Sequence, residues 1–365
     1  MNTKSQFHGS DLEKVSGFYK IPRDSIINFA ANVNPLGLSK QFKKQLADHL
    51  DILSSYPDRE YTSLREAIGG YCGADPSHIL IGNGSTELIS LLIEQCRPSR
   101  TLILGPTYSE YSRELSFSHS TQSYYHLCAE HGFTLFADDL CRELSADYDL
   151  LIICNPNNPT SSFIPAADIR KILETCQKHH TFVMIDETYV EFVPDIRQVT
   201  AMSLIEEFDN FMILRGVSKF FAAPGLRLGY GATGNHSLLC QIREHQIPWS
   251  LNSIGAFAGK LMFKDTQYIA NTRQLIFSER LRMLDSLRQM PGIHVFDAAA
   301  NFILLQIQIP GLTASAVFDA CIRHGLMIRD CSSFQCLDGE YIRFCIMMPK
   351  DNTRLLNVLK EVTGG

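Results

Sequence analysis

Short, continuous apolar runs alternate with amphipathic stretches through the middle of the chain. Leu150 to Cys154 (LLIIC) is wholly apolar and is stopped by Asn155-Pro-Asn-Asn-Pro, as a buried strand ending in a loop would be. The next stretch, about Ala166 to His179, sets Ile169, Ile172, Leu173 and Cys176 at the i, i+3, i+4, i+7 spacing of one helix face. Phe182 to Ile185 (FVMI) reads as a second buried strand, stopping at Asp186. Phe211 to Leu214 (FMIL) reads as a third, running into Arg215-Gly-Val-Ser-Lys219. Upstream, Ile79 to Ile81 is a strand candidate, and Gly82-Asn83-Gly84-Ser85-Thr86-Glu87 then opens a helix over Leu88 to Glu94. Apolar strands separated by amphipathic helices predict an α/β fold with a mainly parallel sheet covered on both faces. Further on, a long helix near Asp265 to Met290 and strands at Phe302 to Leu305 and Tyr341 to Ile346 predict a smaller α+β unit. We expect a large domain over residues 37–255 and a small one combining 1–36 with 256–365.

Composition narrows the class of protein. A chain of 365 residues with 45% hydrophobic and 20% charged residues can bury a sizeable core. The net charge of -6 is mild and offers no basic face for nucleic acid and no polybasic patch for a membrane. No run approaches the roughly 20 apolar residues of a membrane span. Eleven scattered cysteines without a CxxC read as reduced thiols and, with a polar N-terminus, predict a cytoplasmic protein. There is no HExxH or HxH, so no metal is expected, and the Gly82 segment is not a GxxxxGK[ST] loop.

In parallel sheets, ligands bind beyond the carboxyl ends of the strands. Asn155 to Thr160, Asp186 to Tyr189, and Ser218-Lys219 should therefore gather around one crevice. These residues meet the four needs of pyridoxal 5'-phosphate (PLP): a lysine for its aldehyde, a carboxylate for its ring nitrogen, donors for its phenolic oxygen, and an anion site. Lys219 is the candidate lysine and Asp186 the carboxylate. Tyr189 and Asn158 can serve the phenolic oxygen. Gly84, Ser85, Thr86, Ser218 and Arg227 can hold the phosphate. Each residue alone has an ordinary alternative: a surface lysine, an Asp186, Ser85 or Thr86 helix cap, an Arg227 ion pair. Their joint position after strand ends is what favours the cofactor.

NPNNPT (155–160), DETYVEF (186–192), Ser218-Lys219 and GLRLGY (225–230) resemble, in order and spacing, the motif series of the class I/II aminotransferases, and the likeness runs over essentially the whole chain. The resemblance implies the fold-type I PLP-dependent architecture and the roles just given to Asn158, Asp186, Tyr189, Lys219 and Arg227. It further implies that Tyr108 (GPTYSEY) stacks on the cofactor ring and that Arg343 (YIRF) grips a substrate carboxylate. Tyr56 (SSYPD) would reach the cofactor phosphate of a partner subunit, so a homodimer with shared sites is expected. Gly216 departs from the pattern, which often has a hydroxyl residue there, and Ser161 stands where glycine is usual.

Two relatives compete, the histidinol-phosphate aminotransferases and the threonine-phosphate decarboxylases. FHGSDLEKVSGFY with INFAANVNPLG, IPWSLN (247–252) and MIRDCSSFQCLDGEYIRFCI (327–346) resemble the decarboxylases. That resemblance implies decarboxylation of O-phospho-L-threonine, a step of cobalamin biosynthesis, with His8, Asn32, Arg329 and Arg343 around the substrate. The alternatives are an aminotransferase and, in another class, a non-catalytic regulatory protein of the same fold.

Overall fold

The computed structural model describes residues 7–9 and 11–364. Helix Leu12–Tyr19 and a two-residue strand, β1 (Ile27–Asn28), precede the large sheet. That sheet takes β2 (Ile79–Gly82), β3 (Arg100–Gly105), β4 (Thr121–His126), β5 (Leu150–Cys154), β6 (Phe182–Asp186), β7 (Phe211–Gly216) and β8 (Gly229–Ala232). Its order is β2-β8-β7-β6-β5-β3-β4. From β7 through β4 every pair is parallel, and β8 runs antiparallel to both β7 and β2. The buried runs read from the sequence are these strands: β5 has the bounds read for it, and β2, β6 and β7 are one or two residues longer at the carboxyl end. Asp186 is thus the last residue of β6 rather than the first of a loop.

Helix Ala166–Lys178 buries Ile169, Ile172, Leu173 and Cys176, the stripe that its spacing predicts. Between β6 and β7 lies a buried ion pair, Arg215 Nη2 to Glu187 Oε2 at 2.6 Å. Arg215 also donates to Thr200 Oγ1, and Glu187 accepts from Ala201 N, so the charges are paired and their spare hydrogen-bonding groups used. Glu187 therefore locks the strand ends beside Asp186.

A second sheet has order β12-β13-β10-β9, from β9 (Ile293–Val295), β10 (Phe302–Ile307), β12 (Arg329–Asp330) and β13 (Tyr341–Cys345), all antiparallel. Strand β11 (Leu326–Met327) pairs in parallel with β1 and so ties the N-terminal segment to this sheet. Helix Thr266–Arg288 buries Tyr268, Thr272, Ile276, Met283, Leu284 and Leu287 against both units, with Asp265 as its N-cap. Helix Ser253–Met262 spans residue 255, the expected domain limit, and packs on helix Thr62–Cys72. All eleven cysteines are free thiols. No helix among the described residues is long and apolar enough to cross a membrane.

Candidate active site

A cavity of about 450 Å³ opens beyond the carboxyl ends of β5, β6 and β7. It is lined by Cys154, Asp186 and Ser218-Lys219 from those ends, and by Ser85, Thr86, Tyr108, Asn158, Tyr189 and Arg227. His8, Asn32, Arg329 and Arg343 close it from the N-terminal segment and the second sheet. Of the residues given a cofactor or substrate role in the sequence, Gly84 and Tyr56 do not line it; of the segment Asn155 to Thr160 it takes Asn158 alone, and Glu187 turns instead to Arg215.

Gly84 stands just behind the wall. It is the N-cap of helix Ser85–Cys96, with φ +84°, a conformation that favours glycine. A Cβ there would lie 2.4 Å from Arg227 Nη2, so the missing side chain makes room for the guanidinium. Ser85 and Thr86 are not caps but the first helical residues, with their hydroxyls and free N–H groups at the positive end of the helix. A Cβ on Gly229 would stand 2.3 Å from Ser85 N, so this helix start rests directly on β8. Arg227 makes no ion pair among the described residues; it donates to Pro224 O. Hydroxyls, amides and a guanidinium thus line one cavity, a donor set suited to an anion. Gly216 is buried in β7 and lies outside the cavity lining.

Lys219 Nζ donates to Ala31 O at 2.7 Å. Burial first, and then the Arg343 charge, push its pKa down from 10.5 to about 8. Asp186 is held from both sides. Its Oδ2 accepts from Tyr111 Oη at 2.6 Å, and its Oδ1 accepts from the N–H and hydroxyl of Thr188 at 2.9 and 2.6 Å. Tyr189 Oη accepts from Asn32 Nδ2 at 3.2 Å, which leaves the phenol proton to be donated elsewhere. Burial raises the Tyr189 pKa, so the phenol keeps that proton.

Arg329 and Arg343 are directly opposite each other across β12 and β13. Arg343 is buried and donates to Ala30 O and Asn158 Oδ1, while its Nε has no partner among the described residues. Arg329 donates to Phe7 O and Ser333 Oγ, with its guanidinium 5.4 Å from the Phe334 ring. Burial and Arg343 lower its pKa. Asn32 Oδ1 is likewise buried and unpartnered among the described residues. His8 is at the rim, and burial with the Arg329 charge lowers its pKa. Gly9 lets this segment approach: a Cβ would lie 2.3 Å from Ala30 O, and Asn28 Nδ2 holds Gly9 O at 2.9 Å.

Tyr56 is 80% exposed, outside the cavity, with its ring 4.9 Å from Trp249. The sequence reading missed Tyr111 and Phe334, and it placed Thr188 at the crevice without a role. Thr188 lies inside DETYVEF, and Tyr111 follows Tyr108 by three residues, a spacing that puts both rings on one side of a helix start. Phe334 carries no such signal.

The model of the family described as aminotransferase class I and II matches residues 24–359. A Caldanaerobacter subterraneus protein, provisionally assigned as a threonine-phosphate decarboxylase, is 36% identical over 90% of this chain and 88% of its own. The threonine-phosphate decarboxylase of Salmonella typhimurium is 30% identical over 98% of this chain and 97% of its own. Among solved structures, the histidinol-phosphate aminotransferase of Clostridium acetobutylicum superposes with a TM-score of 0.86 at 30% identity, covering 92% of this chain and 98% of that one.

Proposed function

The chain belongs to the aminotransferase class I and II family, and we propose that within it this protein decarboxylates a small phosphorylated amino acid, O-phospho-L-threonine, using PLP. The observation that carries the substrate class is the Arg329–Arg343 pair. Like charges directly opposite on neighbouring strands destabilise a sheet. Among the described residues both guanidiniums hydrogen-bond to neutral partners only, and one Nε is left over. Two anionic groups on a ligand would offset that cost. A phosphorylated amino acid carries two, a carboxylate and a phosphate.

PLP fits the rest of the cavity. Lys219 would hold it, Asp186 its ring nitrogen, Tyr189 and Asn158 its phenolic oxygen, and Ser85, Thr86, Ser218 and Arg227 its phosphate, with Tyr108 against the ring. When bound, PLP supplies an electron sink for the pair released when a bond to the substrate α-carbon breaks. The protein selects the bond. Arg343, tied to Asn158 and near Lys219, would take the substrate carboxylate as a planar fork. Arg329 and His8, at the rim, would take the substrate phosphate. The Lys219 amine, with its pKa near neutrality, would then return a proton to the α-carbon.

The second reading is transamination of histidinol phosphate, favoured by the likeness to the Clostridium acetobutylicum structure. The same residues serve it. The test of the substrate class is a titration of the holoenzyme's visible absorption with O-phospho-L-threonine, L-threonine and histidinol phosphate. Losing the phosphate should weaken binding roughly 10- to 100-fold, the worth of charge-assisted hydrogen bonds. Equal affinity for threonine and its phosphate ester would overturn the proposal.

A further inference from the structure

Tyr111 is fully buried in the short helix Glu110–Phe117, and its hydroxyl donates to Asp186 Oδ2 at 2.6 Å. An ionised carboxylate has about four acceptor sites, two on each oxygen. Thr188 occupies both sites of Asp186 Oδ1, through its N–H and its hydroxyl. Tyr111 occupies one site of Oδ2. Among the described residues no donor takes the fourth site, on Oδ2, and Asp186 lines the cavity. The donors act from different elements: Thr188 from the turn after β6, and Tyr111 from helix Glu110–Phe117, which lies between β3 and β4 in the chain. Cys154 is itself the residue paired with Asp186 across β5 and β6. Both oxygens of the carboxylate are therefore held by donors, which opposes rotation about its terminal bond.

We propose that Tyr111 is a positioning residue for the cofactor: its hydroxyl fixes the Asp186 carboxylate so that the one remaining acceptor site faces the ring nitrogen. This rests on the PLP reading of the site and adds to it a residue that touches only the carboxylate. Tyr111 is suited to this task in two respects. Burial raises its pKa well above 10, so it stays a donor beside an anion. Its ring meets Tyr108 edge-on, with centroids 5.6 Å apart, so the ring that would cover the cofactor and the hydroxyl that aims the carboxylate are set by one packed pair.

The test is a double-mutant cycle on PLP affinity. Apoprotein of the wild type, Tyr111→Phe, Asp186→Asn and the double variant is titrated with PLP by absorbance. Tyr111→Phe should weaken PLP binding about tenfold in the wild type, one charge-assisted hydrogen bond's worth, and less than about twofold in the Asp186→Asn background. A role in packing alone would give the same factor in both backgrounds, and that result would overturn the proposal. Thermal unfolding of each apoprotein checks the fold. If Tyr111→Phe does not fold, Thr188→Ala, which removes one donor from the other oxygen, takes its place in the cycle with the same two outcomes. Wild-type protein that binds no PLP would defeat the cofactor reading itself, whereas PLP binding with additive losses would defeat only the role of Tyr111.

Discussion

Lys219 stands among positive charges, near Arg343 and Arg227, in a buried pocket, and its pKa of about 8 follows from that setting. The native state releases its proton at about pH 8, whereas an unfolded lysine holds it to 10.5. Between those values the unfolded chain binds more protons, so this group makes stability rise with pH across the window. Wild-type apoprotein should therefore gain stability relative to Lys219→Ala between pH 8 and 10.5, measured by denaturant unfolding; a constant difference would contradict the shift. Borohydride should fix PLP to Lys219 in the wild type and leave none attached in Lys219→Ala. Asp186→Asn should keep the fold and lose turnover by orders of magnitude, because a neutral amide does not hold the ring nitrogen protonated. Near-normal turnover would remove Asp186 from the chemistry. At this scale the cofactor candidates Asn158, Asp186, Ser218 and Lys219 were visible because they lie at or just after strand ends, whereas Arg343, in the middle of β13, came from the resemblance. Tyr111 was hidden because its partner is 75 residues away, a distance that only the packed sheet closes.

The helix start at Ser85 is an element-scale device, since two glycines make it possible. Gly229→Ala would drive a methyl against Ser85 N and Gly84 C, backbone atoms at 2.3 and 2.4 Å. We predict a loss of about 1–3 kcal/mol in denaturant unfolding and a weaker hold on PLP phosphate. An unchanged PLP affinity would show that the helix start does not contact the cofactor. The strands and helix Ala166–Lys178 were legible because burial on both faces writes a continuous apolar run, and burial on one face writes a 3.6-residue stripe. The cap was not. Ser85 and Thr86 are good capping residues, but Gly84 takes the position because Arg227 fills the space where a side chain would stand. That constraint comes from residues more than a hundred positions away. The β12–β13 pairing, which brings Arg329 and Arg343 together, was likewise beyond reach: β12 has only two residues and no period to read.

At the scale of the whole molecule, the site is assembled from three parts of the chain: the strand ends of the large sheet, the segment around His8 and Asn32, and the arginine strands of the second sheet. Tyr56 joins none of these in its own chain. If it serves a partner subunit, two inactive variants should rescue each other. Mixed Tyr56→Ala and Lys219→Ala chains, allowed to exchange subunits, should recover about a quarter of wild-type activity, because half the dimers are hybrids with one intact site. No recovery would keep Tyr56 out of the active site. The wider architecture was legible because alternating strands and helices leave few topologies. The choice between two reactions was not, since one set of side chains serves both. That choice is decided most directly by supplying the holoenzyme with carboxyl-labelled O-phospho-L-threonine and collecting the gas. We predict labelled carbon dioxide in proportion to substrate consumed, with no requirement for a keto acid. Amine transfer from histidinol phosphate to 2-oxoglutarate, with no labelled gas, would contradict the account.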